Sequence, residues 1–173
     1  MQRATTVRAA GTWSPAEACD AVRLDFDARH RRRIVMKGEA GVEFLLDLPE
    51  AIALSDGDGL VLEAGGTVAV VAAPERLIEV RAGPGADLLR IAWHLGNRHL
   101  PTQLLGDRLR IREDHVILEM LQKLGARTAL IEAPFSPEGG AYGHGRTQGH
   151  GHGGPGHGGH GHGGHGHGGH GHD

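Results

Sequence analysis

The sequence has one cysteine, Cys19, so no disulfide can form within the chain, and the thiol chemistry fits a reducing compartment. Only two lysines occur, Lys37 and Lys123, and neither follows a glycine-rich run. The phosphate-cradling Gly-x-x-x-x-Gly-Lys-Ser/Thr loop is therefore absent, and with it the signature of a nucleotide hydrolase. No apolar run reaches membrane-spanning length, and the segment around Arg3 and Arg8 lacks the apolar stretch of a signal peptide. Eighteen basic residues against 21 acidic ones create no field that argues for nucleic acid or a membrane surface. These absences lead to the expectation of a soluble, cytoplasmic protein that binds neither.

Histidine and glycine are what the chain has in excess. Ten of its 14 histidines fall between His144 and Asp173: His144, His150, His152, His157, His160, His162, His165, His167, His170 and His172. Most of the intervening residues are glycine, and nothing there is apolar enough to form a core. Such a stretch cannot bury enough surface to offset its ordering entropy, so residues 136–173 are expected to be a disordered tail. Its imidazoles suit borderline transition metals, and a histidine-rich tract is a compositional metal-binding signal. The interleaved glycines and Pro155 set it apart from the unbroken run of a purification tag. Below a pH of about 6.5 the tail becomes polycationic and releases metal.

The remaining residues, about 140, suffice for one medium or two small domains. From Thr5 to Ala73 the pattern is strand-like. Val22, Leu24 and Phe26 alternate with Arg23 and Asp25; Val42-Glu43-Phe44 and Thr67 to Val71 continue the style. Ser55-Asp56-Gly57-Asp58-Gly59 and Ala64-Gly65-Gly66 punctuate it as turns. Residues 1–73 thus read as an all-β domain. The one basic run, Arg29-His30-Arg31-Arg32-Arg33, is favoured as the solvated part of a loop and of a strand starting near Ile34. A surface for a protein partner is the second reading, and RNA is disfavoured because no aromatic platform accompanies the run.

After Pro74 the pattern changes. Leu77 to Arg81 predicts a strand, and residues 86–95 predict a helix with Leu88, Ile91, Ala92 and Leu95 on one stripe and Gly96 as its stop. Residues 102–105 and 108–112 bracket Gly106-Asp107, a two-residue hairpin signal. Asp114 caps a second helix with Ile117, Leu118, Leu121 and Leu124 inward and Gly125 at its end. Residues 127–132 form a last strand. The order strand, helix, hairpin, helix, strand is the ferredoxin-like βαββαβ arrangement, with both helices on one face of an antiparallel sheet. The fold class is therefore α+β: an all-β domain over 1–73, a ferredoxin-like metal-binding domain over 74–135, and the histidine-rich tail.

Four histidines lie outside the tail: His30, His94, His99 and His115. Each alone is more often structural than a ligand. His94, inside the first helix, reads as packing or hydrogen-bonding. His99 follows Gly96-Asn97-Arg98 on a turn where a side chain can meet an ion or a partner. His115 starts the second helix beside Glu113 and Asp114, which serve the helix dipole, or supply a hard metal ligand or an acceptor for an imidazole. One or two imidazoles per chain are too few for a tight site. A twofold dimer doubles every ligand, so two copies of His99 near the axis can share an ion.

Trp93 to Gln103 with its Gly96-Asn97-Arg98-His99 core, then Glu113-Asp114-His115-Val116, then the histidine-rich end, resemble the UreE family of urease accessory nickel metallochaperones. Asp47-Leu48-Pro49 with Ser55 to Asp58 is similar to that family's N-terminal domain, and Pro134 to Tyr142 to its segment before the tail. The resemblance implies a partner- or peptide-binding N-terminal domain and a homodimer joined through the C-terminal domains. It also implies one Ni(II) held by His99 of both subunits; by the divalent affinity order, Zn(II) and Cu(II) compete for the same imidazoles. Nickel would then pass toward apo-urease with the GTPase UreG. His115 matches a position implicated in peripheral metal binding. Glu113 stands where some members have histidine, and Glu50 where a basic residue is expected.

Two other classes compete with this reading. A nickel storage or buffering protein would act through the tail alone. A metallohydrolase needs a rigid open site with a positioned base, and no dense ligand motif such as His-Glu-x-x-His occurs. The expectation is a carrier, not an enzyme.

Overall fold

The computed structural model describes residues 1–139. Of the tail expected to be disordered from residue 136, residues 136–139 are described, and Ser136 and Glu138 there are hydrogen-bonded to Gln103 and Thr102 rather than disordered. Residues 140–173, with all ten tail histidines, lie outside the described residues. Among the described residues the protein is mostly β with two helices, and no helix is long and apolar enough to cross a membrane.

The first unit is a curled six-stranded mixed sheet: β1 (Gln2–Arg8), β2 (Asp20–Leu24), β3 (His30–Lys37), β4 (Glu43–Ala53), β5 (Gly59–Leu62) and β6 (Thr67–Ala72), in the order β2-β6-β5-β1-β4-β3. β1 runs parallel to β4 and β2 parallel to β6; the other pairs are antiparallel. Period-two patterning sets the inner face. Along β4, Phe44, Leu46 and Leu48 are buried while Glu43 and Asp47 point out. Those three pack with Ala4, Val22, Met36, Leu60, Leu62, Val68 and Val70. The Ser55–Gly59 turn falls where expected, and Asp58 ties it down by accepting from the N–H groups of Ala10 (2.9 Å) and Ser55 (2.7 Å).

Asp20 holds the loop between β3 and β4. Its buried carboxylate accepts three backbone N–H groups, from Ala21 (2.7 Å), Ala40 (2.7 Å) and Val42 (2.8 Å). The bond from Ala40, with those from Val42 and Ala21, holds its pKa below the usual carboxylate value against the opposing effect of burial. A group with a depressed folded pKa stabilises the native state above its unfolded value, and that contribution fades as pH falls through the folded one. Urea midpoints measured from neutrality into the acid range should therefore fall below a pH of about 3.9, less steeply in Asp20→Asn. Gly38→Ala should disrupt the same clamp, since a Cβ there would sit 2.0 Å from the Asp20 carboxylate.

The second unit contains β7 (Pro74–Ala82), α1 (Leu88–Gly96), β8 (Gln103–Leu104), β9 (Leu109–Arg112), α2 (His115–Lys123) and β10 (Ala126–Pro134). Its antiparallel sheet has the order β10-β7-β9-β8, the ferredoxin-like arrangement. Ile78 pairs with Ile111 and Val80 with Leu109, placing all four on one face. Ile91 and Leu95 of α1 and Ile117 and Leu121 of α2 cover that face. The opposite face is ionic: Glu79 meets Arg110 at 3.0 Å, Arg108 at 3.3 Å and Arg81 at 3.3 Å. Burial pushes the Glu79 carboxyl up, but the Arg110 hydrogen bond and the neighbouring guanidinium charges hold it below its ordinary value. Gly106, at φ 76°, makes the expected hairpin turn, with the Leu105 N–H bonded to the Arg108 carbonyl at 2.9 Å.

Two sequence expectations change at the junction of the units. Phe26 does not continue the alternation of β2, and Arg29 is not solvated. The Phe26 ring meets fully buried Phe135 edge to face at 5.5 Å, and its N–H bonds Glu75 at 2.8 Å. Arg29 is 5% exposed and donates to the carbonyls of Leu54 and Phe135. Asp27 and Arg112 pair across the same junction at 2.7 Å. Since Arg29 is buried there, β3 begins at His30 rather than near Ile34.

Candidate metal centre

Both helices of the second unit start in the same way. Asp87 caps α1 by accepting from the Leu89 N–H at 2.9 Å; Asp114 caps α2 by accepting from Val116 (2.8 Å) and Ile117 (3.1 Å). Their ends show what is special about the site. After α2 the left-handed position is filled by Gly125 at φ 79°, whose N–H bonds the Gln122 carbonyl at 3.0 Å.

After α1 the equivalent position is His99. Its φ is 54°, and it is the sole non-glycine residue with positive φ among the described residues. The His99 N–H bonds the Gly96 carbonyl at 2.9 Å, and the Leu100 N–H reaches the Leu95 carbonyl at 3.5 Å. That bond pair is the Schellman ending, with Leu100 and Leu95 making its hydrophobic contact within the core. Gly96 is therefore not the stop expected from the sequence; it belongs to α1, and the chain reverses three residues later. A histidine held left-handed costs about 1–3 kcal/mol relative to an ordinary conformation, a cost that recurs where function dictates the side chain. The imidazole is exposed.

The chain following His99 is itself anchored. Thr102 Oγ1 donates to the Leu100 carbonyl at 3.0 Å. The Thr102 carbonyl then accepts from the Glu138 N–H at 3.0 Å, and Gln103 Oε1 accepts from the Ser136 N–H at 3.4 Å. The segment leading to the histidine-rich end is thus bound three to four residues from His99.

The other predicted residues are placed differently. His115 is exposed at the first position of α2, but Asp114 beside it is engaged as the cap. Glu113 pairs with Arg76 on β7 at 2.9 Å. Half-buried His94 packs edge to face against Trp93 at 5.0 Å, and its carbonyl accepts from Arg98 at 3.0 Å. His30 is half-buried at the start of β3. No group of three or more His, Cys, Asp or Glu side chains among the described residues could hold a metal ion. The folded part of one chain offers His99 without a complete ligand shell.

Sequence reading missed the conformation of His99 and the anchoring at Thr102 and Gln103. Pro101 was the available signal for the first, because proline commonly follows a helix cap by one or two residues. The second had none, since it joins residues 36 apart in sequence.

Comparison with known proteins matches this architecture in two parts. Residues 2–73 fit the family model described as the UreE urease accessory protein, N-terminal domain, and residues 75–173 that of its C-terminal domain. Such coverage places the protein among the urease accessory proteins. Within that class, the chain belongs to the UreE family. It is 60% identical over 154 residues to the urease accessory protein UreE of Rhodopseudomonas palustris (strain BisB18), covering 89% of this chain and 72% of that protein. The UreE of Bradyrhizobium sp. (strain ORS 278) is 58% identical over 153 residues, 88% of this chain and 71% of its own. That of Chelativorans sp. (strain BNC1) is 52% identical over 158 residues, 88% and 98% of the two chains.

Proposed function

We propose that this protein is a nickel carrier for urease maturation, binding Ni(II) through His99 of two subunits and passing it on without catalysing a reaction. The left-handed His99 carries this reading: a helix end that would take glycine without strain instead presents an imidazole. One subunit supplies too few ligands, and twofold symmetry doubles them. Leu89 and Trp93, one turn apart on α1, are 79% and 64% exposed. They give the helix that leads to His99 an apolar face suited to a second copy, and tryptophan is a frequent interface anchor.

The tail supplies accessory ligands. From Glu138 to His144 is six residues, a maximum span of about 20 Å, so a tail imidazole starts within reach of the loop that carries His99. Exchange of one neutral nitrogen ligand for another lets metal move between tail and interface. Nickel is the cargo; Zn(II) and Cu(II) compete for the same donors, so selectivity rests on geometry and supply. The resemblance to the family supports a GTPase, UreG, and apo-urease as the downstream partners in the cytoplasm. The chain lacks a phosphate-binding loop, so any GTP requirement belongs to the partner. His115 is a peripheral, weaker ligand.

Storage by the tail is the second reading, favoured by the tail's ten histidines. At three to four imidazoles per ion they would hold about three ions. Calorimetric nickel titration separates the two. The intact protein should show one tight site per dimer and several weaker ones; a chain ending at Tyr142 should keep the tight site and still support urease activation. Loss of activation with the tail alone would favour storage, and turnover of GTP or an ester by the purified nickel-loaded protein would refute the carrier reading.

A further inference from the structure

β3 is an edge strand, paired only with β4 among the described residues. An edge strand presents unpaired N–H and C=O groups, and proteins usually guard such edges with charge or a bulge. The first half of β3 has both: a register shift between Arg31 and Arg33, and three consecutive arginines. The guard then stops. Ile34 and Val35 follow at 39% and 56% exposed, aliphatic side chains that a guarded edge would avoid. The charges are also unequally satisfied. Arg33 meets Asp47 at 3.6 Å and Lys37 meets Glu43 at 3.1 Å, both across to β4. Arg31 and Arg32 make no ion pair among the described residues; Arg31 donates only to the His30 carbonyl at 3.1 Å.

We propose that the open edge of β3 receives an extended, acidic segment of a protein partner as an added strand. Main-chain hydrogen bonds would supply affinity, as in other strand additions. Since successive side chains alternate between faces, carboxylates on one face would meet Arg31 while aliphatic side chains on the other cover Ile34, or would meet Arg32 while the aliphatic face covers Val35 in the register one residue on. A second copy of this chain is a poor occupant: β3 contains no acidic residue, so pairing with another β3 would leave Arg31 and Arg32 without a counter-charge. Single-stranded nucleic acid fits less well, because the strand has no Phe, Tyr or Trp on which bases could stack. The proposal is independent of the nickel reading, and no metal takes part in it.

The test uses a fluorescein-labelled ten-residue peptide of alternating Glu and Val. Binding is measured on the full-length protein at pH 8 with a chelator present, so that the tail imidazoles are neutral and metal-free. Saturable binding is expected, together with slowed amide exchange confined to β3. Arg31→Glu/Arg32→Glu should weaken it about tenfold, the scale of exchanging an exposed ion pair for a like-charge contact in either register. The same peptide N-methylated at alternate residues should not bind the wild-type protein, a readout that needs no variant to fold. Absence of saturable binding, equal binding of the N-methylated peptide or of its Lys-Val counterpart, protection outside β3, or tighter binding of an oligouridylate would each overturn the proposal.

Discussion

His99→Gly is expected to be more stable than His99→Ala by about 1 kcal/mol, while both lose the tight nickel site. In a helix interior the order is reversed, with alanine better than glycine by about that amount. The prediction rests on the left-handed backbone at position 99, where φ is 54° and any Cβ is strained. Gly125 shows the unstrained solution at the end of α2. Thermal melting of the two variants reads the backbone effect, and calorimetric nickel titration of the same samples reads the ligand. Removing one imidazole from each subunit should weaken the tight site by at least on the order of a hundredfold, already the upper scale for losing an outer-shell partner. Alanine as the more stable variant would mean the turn is not left-handed in solution. Unchanged nickel affinity in both would remove His99 from the metal site.

Phe135→Ala should destabilise the protein by about 3–5 kcal/mol, the usual range for truncating a fully buried phenylalanine. Phe135 is 0% exposed and lies against Phe26, while its carbonyl accepts from the buried guanidinium of Arg29. Desolvation lowers the pKa of Arg29, partly offset by the charges of Glu75, Asp56, Asp25 and Asp58. Losing the ring opens this contact between the two units. Denaturant unfolding should therefore show the second unit melting separately from the first, whereas the wild type should melt in one transition. A loss below about 1 kcal/mol with a single transition, the scale of an ordinary surface substitution, would show that the junction contributes little. The anchoring of the tail-proximal segment gives a further readout. Exchange at the amides of Ser136 and Glu138 should quicken in this variant, because both lie just beyond the lost ring.

Local pattern settled much of this protein. Alternation in β4, the helix stripes, Asp114 as a cap, Gly125 as a stop and the Gly106-Asp107 hairpin are short-range features, each with its signal within a few residues. They were enough to order the second unit as βαββαβ and to place His99 just beyond its first helix. Other assignments depended on residues far apart in sequence. Arg29 reads as part of a solvated basic run until Phe135, 106 residues away, closes over it. Glu113 reads only as a partner for the helix dipole, a metal or an imidazole until Arg76 on β7 pairs with it. The left-handed turn after α1 moved from Gly96 to His99 because Leu100 reaches the core, and that contact outweighs the intrinsic preference for glycine in the turn. By itself the sequence determined which chemistry this chain can do. Only the tertiary structure decided which side chains remain free to do it, because burial and ion pairing are settled by neighbours that no local pattern names.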